Sequence, residues 1–280
     1  MNIQSAIITG TNILKNKSIN SAKLDSEILL ATAIGKDRKY ITLNYNKNIK
    51  ENDLKYFQKL INKRSYREPI AYLTNKKYFW KYKFFVTRDT LIPRPDTEVI
   101  VEQILKLTKL KANVKILDIG VGSGCILLTI LKERKSVYGV GVDISEKCLN
   151  ISKINAKSLK VDSRVKFFKT DVDKFTQGKY DIIVSNPPYI KRYHLKYLEK
   201  NVVSFEPKIA LDGGLDGLSE IRKVISKSSE LIKENGKFIL EIGFDQKNKV
   251  RNLLKSKGFC IKKIIKDLAK NDRCIISLKK

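Results

Sequence analysis

The stretch VKILDIGVGSGCI, residues Val114 to Ile126, places three alternate glycines directly after an apolar run. The residues before the glycines are typical of a buried strand, and CILLTILKER after them is typical of a helix. Glycine tolerates tight backbone conformations and lets a ligand approach the main chain closely. The stretch therefore predicts a strand–loop–helix unit whose loop binds a ligand.

Apolar strands and amphipathic helices alternate through the rest of the chain. The later strands are predicted at VYGVGVD, VKFFKTD, YDIIVS, GKFILEIG, FCIKKIIKD and RCIISLK. This alternation is typical of an α/β fold with a mostly parallel sheet covered by helices on both faces. The short connection between the last two strands favours an antiparallel hairpin. Such sheets bind ligands at the carboxyl ends of their strands.

The chain before residue 69 is predicted to be helical. LDSEILLATAIG places Leu24, Ile28 and Ala31 on one helical face and ends at Gly35, which is suited to stop the helix. DLKYFQKLINKRSYRE carries a second amphipathic pattern. We expect a small helical domain that packs or contacts a partner.

An aromatic-rich segment between about residues 69 and 86, AYLTNKKYFWKYKFFV, predicts a β-hairpin with Asn75 at a turn. LIPRPDTE follows, and its two prolines force an extended backbone. Either Asp96 or Thr97 is expected to cap the helix that comes next.

The composition limits the classes of function. The net charge of +28 is spread along the chain, with +11 in residues 1–92 and +17 in the remainder, so solvated surface is favoured over a dedicated nucleic-acid groove. The four cysteines are scattered without a CxxC pair, which argues against zinc or disulfides and for a reducing compartment. The sequence has neither a signal-peptide pattern nor an apolar run long enough for a membrane span. A cytoplasmic protein is expected.

Acidic residues around the glycines indicate which ligand the loop binds. Asp118 precedes the spacing G-x-G-x-G, and Cys125 stands where a dinucleotide fingerprint has a small residue. This pattern departs from NAD sites and resembles the first motif of S-adenosylmethionine-dependent methyltransferases. Asp143 ends the next predicted strand, where a carboxylate accepts hydrogen bonds from ribose hydroxyls. Asp171 ends the following strand and is suited to bond an adenine amino group.

SNPPYI, residues Ser185 to Ile190, follows a predicted strand and lies next to the glycine loop if the fold is correct. Its prolines fix the backbone and lack N–H donors, so carbonyl oxygens can point into a site. The Asn186 side chain and the Pro187 carbonyl then form two acceptors for a planar NH₂ group, and Tyr189 offers a flat face for stacking. The motif predicts methyl transfer to an amide-like or aniline-like nitrogen without a metal. The single histidine, His194, is expected on the surface.

The tetrapeptide by itself leaves two substrates open. Motifs of the type (N/D/S)-P-P-Y also serve enzymes that methylate the exocyclic nitrogen of adenine or cytosine in DNA and RNA. A glutamine amide and a nucleobase amine are both planar nitrogens. An N6-adenine or other exocyclic-amine methyltransferase is therefore the alternative function.

The wider sequence resembles one family over nearly the whole chain. REPIAYLTNKKYFWKYKFFVTRDTLIPRPDTEVIVEQ, LDIGVGSGCI, SNPPYI, FEPKIALDGGLDGL and EIGF are similar to the protein-glutamine N5-methyltransferases of the HemK/PrmC family. The resemblance implies methylation of the glutamine in the Gly-Gly-Gln loop of class I peptide-chain release factors, with S-adenosylmethionine as cofactor. It also implies a Rossmann-like class I methyltransferase domain at 93–280 with a seven-stranded, mostly parallel sheet. A helical substrate-recognition domain at 1–72 and a hairpin linker at 73–92 are expected before it.

The resemblance transfers functional roles onto matching positions. The catalytic residues implied are Asn186, Pro187, Pro188 and Tyr189, and the residues implied in cofactor binding are Gly120, Val121, Gly122, Ser123, Gly124, Asp143, Asp171, Val172 and Asn186. No metal is implied, and Arg94 and Glu98 are expected to shape the mouth of the pocket. The chain departs from the family at Asn75 and Lys270, which replace glycines. A further departure is Val172, which stands where some members have an aromatic residue.

The expected partner is a class I release factor. The positive charge of the chain could steer it towards an acidic protein surface. The same positive charge could instead support weak binding to the ribosome or to RNA. No membrane partner is expected, and a monomer is predicted.

Overall fold

The computed structural model describes residues 1–279, in which a helical first part precedes alternating strands and helices. The helices are α1 (Ile3–Lys15), α2 (Ala22–Ile34), α3 (Arg38–Leu43), α4 (Glu51–Ser65), α5 (Ile70–Thr74), α6 (Glu98–Leu107), α7 (Cys125–Glu133), α8 (Glu146–Leu159), α9 (Lys200–Phe205), α10 (Ser219–Leu231) and α11 (Lys247–Ser256). The strands are β1 (Lys76–Phe79), β2 (Tyr82–Phe85), β3 (Val114–Ile119), β4 (Val137–Asp143), β5 (Val165–Lys169), β6 (Tyr180–Ser185), β7 (Ile232–Glu241), β8 (Phe259–Lys266) and β9 (Asp272–Lys279).

The chain forms two compact units. The first comprises Met1–Lys76 with Glu199–Phe205, and the second comprises the remaining residues. The boundaries predicted at residues 72 and 92 stay predictions. Within the described residues, no helix is both long and apolar enough to cross a membrane.

The helices α1, α2 and α4 pack around one apolar core in the first unit. Gly10 allows this close packing, because a Cβ atom there would lie 2.5 Å from Ser26 Oγ and 2.8 Å from the Phe57 ring. Both distances are far below van der Waals contact, so any larger residue would push the helices apart. A glycine inside a helix is unfavourable by itself, and close packing compensates for it here.

Helix α2 ends as predicted at Gly35, which adopts a left-handed conformation with φ 70°. The predicted apolar face is wrong at Leu24, which is 42% exposed. The helix instead buries Asp25, whose carboxylate lies 2.7 Å from Arg64 Nε in α4. The ion pair compensates for the burial of the carboxylate. The helix can therefore bury Asp25 and expose Leu24, the opposite of what the apolar pattern predicts.

The predicted hairpin begins later than expected. Residues Ile70–Thr74 form the helix α5 rather than a strand, directly after Pro69. Pro69 occupies the N-cap position with φ −59° and ψ 137°, so the backbone is extended immediately before the helix. Asn75 ends the helix with φ 52°, and the hairpin β1–β2 follows. Asparagine thus adopts the left-handed conformation that a glycine would otherwise supply.

The second unit contains a seven-stranded sheet with the order β5-β4-β3-β6-β7-β9-β8. Strands β3 to β7 pair in parallel, whereas β9 runs antiparallel to both β7 and β8. The prediction of a mostly parallel sheet with an antiparallel hairpin at its end is confirmed. Lys270, in the turn of that hairpin, has φ 66°.

One apolar cluster lies between a face of the sheet and the helices that pack on it. Leu117, Ile183 and Phe238 contribute from the central strands, and they contact side chains of α10 and α11 such as Ile221 and Leu254. All five of these residues are fully shielded from solvent. Burial of this apolar area is the main stabilisation of the unit.

Parallel pairing places three functional segments at one edge of the sheet. Ile119, the last residue of β3, is paired with Val142 on one side and with Ser185 on the other. Ser185 Oγ also donates a hydrogen bond of 2.7 Å to the Ile119 carbonyl. The residues that follow these strand ends therefore face the same space.

We expect Leu117→Ala to destabilise the second unit strongly, because the side chain is fully buried in the central strand. Removing it leaves a cavity in a packed core, which typically costs about 2–5 kcal/mol. Urea unfolding would measure the loss in free energy of unfolding. Leu110→Ala, at a residue that is 94% exposed, is the matched control and should change it little. Equal effects of the two variants would contradict this packing.

Candidate active site

A cavity of about 500 Å³ lies at the carboxyl edge of the sheet in the second unit. The segments that follow β3, β4, β5 and β6 all contribute to its wall. Of the predicted site residues, those that line it are Gly120, Val121, Gly122, Ser123, Asp143, Asp171, Val172, Asn186, Pro187 and Pro188. Gly124 and Tyr189 lie outside this lining.

The glycine loop connects β3 to α7 through left-handed residues. Gly120 has φ 76°, and an added Cβ would meet nothing within 4 Å, so its surface is open to the cavity. Gly124 has φ 80° and a different role, because a Cβ there would lie 2.6 Å from Leu128 Cδ1. The first glycine leaves space for a ligand, and the last lets α7 pack closely against the loop.

Asp143 connects two backbone segments at the cavity wall. Its Oδ2 accepts a hydrogen bond from Gly122 N, and its Oδ1 accepts one from Ser145 N, both at 2.9 Å. Burial raises the pKa of Asp143, while these amide hydrogen bonds oppose that shift. Each carboxylate oxygen has a second lone pair, so the group can also accept hydrogen bonds from a ligand.

Asp171 and Val172 follow β5 and line the cavity beside Asp143. Asp171 Oδ1 accepts a hydrogen bond of 3.2 Å from Asp173 N, which forms a local turn and orients the carboxylate. Val172 also packs against the apolar cluster of the sheet. The pair thus presents one acceptor group and one apolar side chain to a ligand.

Asp118 lies behind the glycine loop and is 1% exposed. In the part of the chain that the structure describes, neither of its carboxylate oxygens has a hydrogen-bond partner. Burial raises the pKa of Asp118 to about 7. A buried carboxyl group without a partner is unfavourable, and Asp118 does not itself line the cavity.

The thiols near the cavity are not nucleophiles. Cys125 and Cys148 both line it, and burial raises the pKa of Cys125 to about 12 and that of Cys148 to about 11. A thiol must be deprotonated to attack an electrophile. No cluster suited to hold a metal occurs among residues 1–279. His194 is exposed, as predicted.

Asn186 and the two prolines after it line the cavity, and they follow β6, the strand paired with the one that leads into the glycine loop. Asn186 Nδ2 donates a hydrogen bond of 3.3 Å to Thr97 Oγ1, which leaves Oδ1 available as an acceptor. Pro187 is buried and cannot donate a hydrogen bond, so its backbone contributes only a carbonyl acceptor. This wall can hold an NH₂ group between acceptors.

Tyr189 anchors the segment from behind. Its ring packs against the apolar cluster, and its hydroxyl donates to Glu241 Oε1 at 3.4 Å. Its carbonyl accepts a hydrogen bond of 2.9 Å from Gln246 Nε2. Burial raises the pKa of the Tyr189 hydroxyl, so the phenol stays protonated. Its predicted stacking on a substrate stays a prediction.

The wall of the cavity carries an ion pair, half-buried, that the sequence analysis missed. Arg94 lines the cavity, and its Nη2 lies 2.5 Å from Glu206 Oε1. The Glu206 side chain is 2% exposed and also accepts a hydrogen bond from Ile92 N. Glu98 lies outside the lining and accepts a 2.6 Å hydrogen bond from Trp80 N. The segment FEPK contained the signal for Glu206, but a single acidic residue does not reveal its partner.

Two further polar residues near Asn186 were not predicted in the site. Thr97 lines the cavity, and Glu241 is buried at the end of β7. The prediction that Asp96 or Thr97 caps the helix α6 is wrong, since Thr97 occupies the N-cap position but its side chain makes no capping hydrogen bond. Its hydroxyl contacts Asn186 instead, a contact between residues far apart in sequence.

Comparisons with protein families agree with this arrangement. Residues 5–74 match the PrmC N-terminal domain, and residues 96–204 match the methyltransferase small domain. A release factor glutamine methyltransferase from Clostridium acetobutylicum is 39% identical over 100% of this chain and 99% of its own length. The enzyme of the same description from Caulobacter vibrioides is 34% identical over 95% of this chain and 92% of its own length.

Solved structures share the fold at low sequence identity. A methyltransferase from Pyrococcus furiosus has a TM-score of 0.54 at 18% identity, covering 79% of this chain and 97% of its own. A ribosomal protein L11 methylase from Lactobacillus delbrueckii has a TM-score of 0.50 at 19% identity, covering 67% of this chain and 81% of its own.

We expect Asp118→Asn to stabilise the ligand-free protein at neutral and alkaline pH. The folded-state pKa of about 7 lies above the ordinary value of 3.8. The native state is therefore favoured with the acid protonated, and this contribution is lost as the pH rises through about 7. Asparagine does not ionise, so the difference in free energy of unfolding between variant and wild type should grow by about 1–3 kcal/mol from pH 4 to pH 8.

Urea unfolding at several pH values would measure this difference. Asp162→Asn, at an exposed residue, is the matched control and should show no such growth. A difference for Asp118→Asn that stays constant between pH 4 and pH 8 would show that Asp118 does not titrate in this range.

Proposed function

The chain belongs to the family of release factor glutamine methyltransferases, and we propose that it methylates the side-chain amide nitrogen (N5) of a glutamine in a peptide-chain release factor. The substrate glutamine is the one in the Gly-Gly-Gln loop of class I release factors. The single observation that supports this most is that Asn186-Pro187-Pro188 lines the same cavity as the glycine loop.

S-adenosylmethionine is the cofactor, and the cavity has the features such a group needs. Open backbone at Gly120 allows close approach, and Asp143 keeps free lone pairs for hydroxyl groups. We propose that the loop 120–124, Asp143, Asp171 and Val172 hold the cofactor. When bound, it supplies a methyl group on a positively charged sulfur.

The residues of the chain orient the nitrogen that accepts this methyl group. The Asn186 Oδ1 atom and the Pro187 carbonyl can accept both N–H groups of the glutamine amide. An amide lone pair is delocalised, and two such hydrogen bonds favour a pyramidal nitrogen and direct its lone pair towards the cofactor. The methylated nitrogen becomes acidic and loses a proton to water, so no strong base is needed. Protonated thiols and the absence of histidine from the cavity lining agree with this requirement.

Membership of this family also favours one of the two substrates that the tetrapeptide leaves open. Nucleobase amines fit the same pair of acceptors, but the relatives that match over the full chain carry the release factor description. No contact in residues 1–279 specifically favours DNA or RNA as the methyl acceptor. The glutamine amide is therefore the substrate we propose.

We further propose that the enzyme works as a monomer in the cytoplasm. The four cysteines are free thiols, which fits a reducing compartment. The helical domain at 1–72 is proposed to recognise the release factor. The charge of +28 supports weak contact with RNA or the ribosome, which would weaken with added salt.

Mass spectrometry of a purified class I release factor tests the reaction and the substrate together. After incubation with the enzyme and S-adenosylmethionine, we expect one added methyl group on the peptide that contains the Gly-Gly-Gln glutamine. A release factor with that glutamine changed to alanine is the control and should gain none. Methyl transfer to RNA or DNA, with none to the factor, would replace this function with the alternative.

We expect Asn186→Ala to lose most of its turnover while it still binds the cofactor. The variant lacks the acceptor that orients the amide, so kcat should fall by roughly 100-fold or more. Calorimetric titration with S-adenosylhomocysteine should give a Kd within a few-fold of wild type. Asn150→Ala, at an exposed residue of α8, is the matched control. Unchanged turnover in Asn186→Ala would exclude Asn186 from catalysis.

A further inference from the structure

A basic surface lies on the last elements of the second unit, apart from the active-site cavity. Residues 247–279 contain eleven lysines and arginines but only two acidic residues, so these 33 residues carry +9 of the net charge of +28. A comparison of residues 1–92 with the remainder conceals this concentration, because both parts are basic. We propose that this surface binds the phosphate backbone of RNA, as a partner and not as the methyl acceptor.

The centre of this surface is an open pocket of about 560 Å³ where α11 meets β8. Three cations line it, namely Arg251 and Lys255 from α11 and Lys279 from β9. Arg251 and Lys255 are four residues apart, so they lie on the same face of the helix. Among the described residues, none that lines this pocket is acidic. Like charges at this spacing repel each other, and a bound anion would offset the repulsion.

Lys279 is held in the pocket by contacts with the protein. Its Nζ atom donates a hydrogen bond of 2.8 Å to the Lys257 carbonyl and lies 5.3 Å from the centre of the Phe259 ring. Gly258 leaves space for this ammonium group, because an added Cβ atom would lie only 3.1 Å from Lys279 Nζ. An ammonium group has three N–H donors, so two remain for an anion. Since the protein already orders this cation, an anion binds to it at a lower entropic cost.

The other two cations of the pocket lack acidic partners. Within residues 1–279, the Arg251 and Lys255 side chains form neither a hydrogen bond nor an ion pair with another residue. The acidic residues of the segment, Asp267 and Asp272, are paired with other cations, at nitrogen–oxygen distances of 2.9 and 3.1 Å. The positive charge of the pocket is therefore available to an external anion.

The basic surface continues along β8, which is an edge strand of the sheet. Lys262, Lys263 and Lys266 of this strand are exposed. Lysines on an edge strand also discourage pairing with other chains, but that role does not require Arg251 and Lys255 on the neighbouring helix. A row of cations that extends beyond one pocket fits a polymer with regularly spaced negative charges.

The residue types of this surface favour a nucleic acid over an acidic protein. Protein–protein interfaces are enriched in aromatic residues and depleted in lysine, whereas nucleic-acid interfaces are polar and strongly basic. In the described part of residues 247–279, the one large apolar side chain that is exposed is Leu268, in the turn after β8 and far from Phe259. The choice of RNA over DNA rests on the proposed function, because a release-factor substrate places the enzyme near ribosomal RNA.

The pocket lies towards the edge of the sheet opposite the active-site cavity. In β7, Lys237 is paired with Leu278, the residue before Lys279. Leu240, nearer the carboxyl end of the same strand, is paired with Ser185 beside the cavity. RNA bound at the basic surface therefore leaves the cavity open, so RNA binding and methyl transfer are separable.

The test measures binding of the full-length enzyme to a fluorescent single-stranded RNA of about 20 nucleotides by anisotropy at several salt concentrations. The triple variant Arg251→Gln, Lys255→Gln, Lys279→Gln should bind about tenfold more weakly than wild type near physiological salt. Its slope of log affinity against log salt should become shallower by about 2, because three phosphate contacts are lost.

A control triple variant, Lys59→Gln, Lys109→Gln, Lys153→Gln, removes the same charge at exposed lysines elsewhere. It should retain the wild-type slope, and both triple variants should methylate the release factor at the wild-type rate. Equal weakening of RNA binding in both would show that only the overall charge matters, which would overturn the proposal. If the first triple variant does not fold, Lys255→Gln with Lys262→Gln replaces it, and its slope should become shallower by about 1.

Further measurements identify the bound molecule and its location. RNA that contains 4-thiouridine should crosslink under light to peptides from residues 247–266, as mass spectrometry would show. Crosslinks confined to peptides that line the active-site cavity would overturn the proposal. Inorganic phosphate should bind only weakly by calorimetry, and tight phosphate binding without RNA binding would assign the pocket to a small phosphorylated ligand. Tighter binding of a DNA of the same sequence would overturn the choice of RNA.

The triple variant also separates this inference from protein docking and from the proposed function. A raised KM for the release factor, with unchanged RNA binding, would assign the surface to the protein substrate and overturn the proposal. RNA binding is measured without turnover. If the wild type methylates no release factor but binds RNA at this surface, the proposed function fails alone. If methylation occurs and the triple variant binds RNA like wild type, the RNA surface fails alone.

Discussion

The parallel pairing of β3 with its two neighbours is the constraint on which the site depends. Ile119 is paired with Val142 and with Ser185, so the chain leaves all three strands at the same level of the sheet. The residues that follow are the glycine loop, Asp143 and Asn186. A shift of one residue in either pairing would turn the side chains to the opposite face and separate these segments. The apolar cluster under Leu117 and Ile183 keeps the register fixed.

Buried acids are concentrated along this edge, and each has a different environment. Asp143 accepts two backbone hydrogen bonds, Glu206 has Arg94 as partner, and Asp118 has no partner among the described residues. Burial of a carboxyl group without compensation is unfavourable, and of these three acids only Asp118 is in that situation. Their concentration at the cavity agrees with the proposed binding of a polar cofactor and an amide substrate. Asp25, in the first unit, shows that a buried acid can also be purely structural when an arginine compensates for it.

Local signals predicted much of the fold because they depend on neighbouring residues only. Gly35 ends α2 and Asn75 ends α5, each in the left-handed conformation expected of its residue type. The start of the hairpin was predicted too early, since residues Ile70–Thr74 form the helix α5 before β1 begins. The apolar pattern of α2 was equally misleading at Leu24, because the pairing of Asp25 with Arg64 is invisible to periodicity.

The sequence by itself determined the fold class, the glycine loop and the motif Asn186-Pro-Pro-Tyr189, since each is a continuous stretch with its own conformational preferences. The resemblance that those stretches carry also indicated the family to which the chain belongs. Only the tertiary structure decided that Thr97 contacts Asn186 rather than capping α6, that Glu241 is buried, and that Arg94 pairs with the buried Glu206. These contacts join residues far apart in the chain. Their partners are selected by the packing of the sheet, which no local pattern of residues specifies.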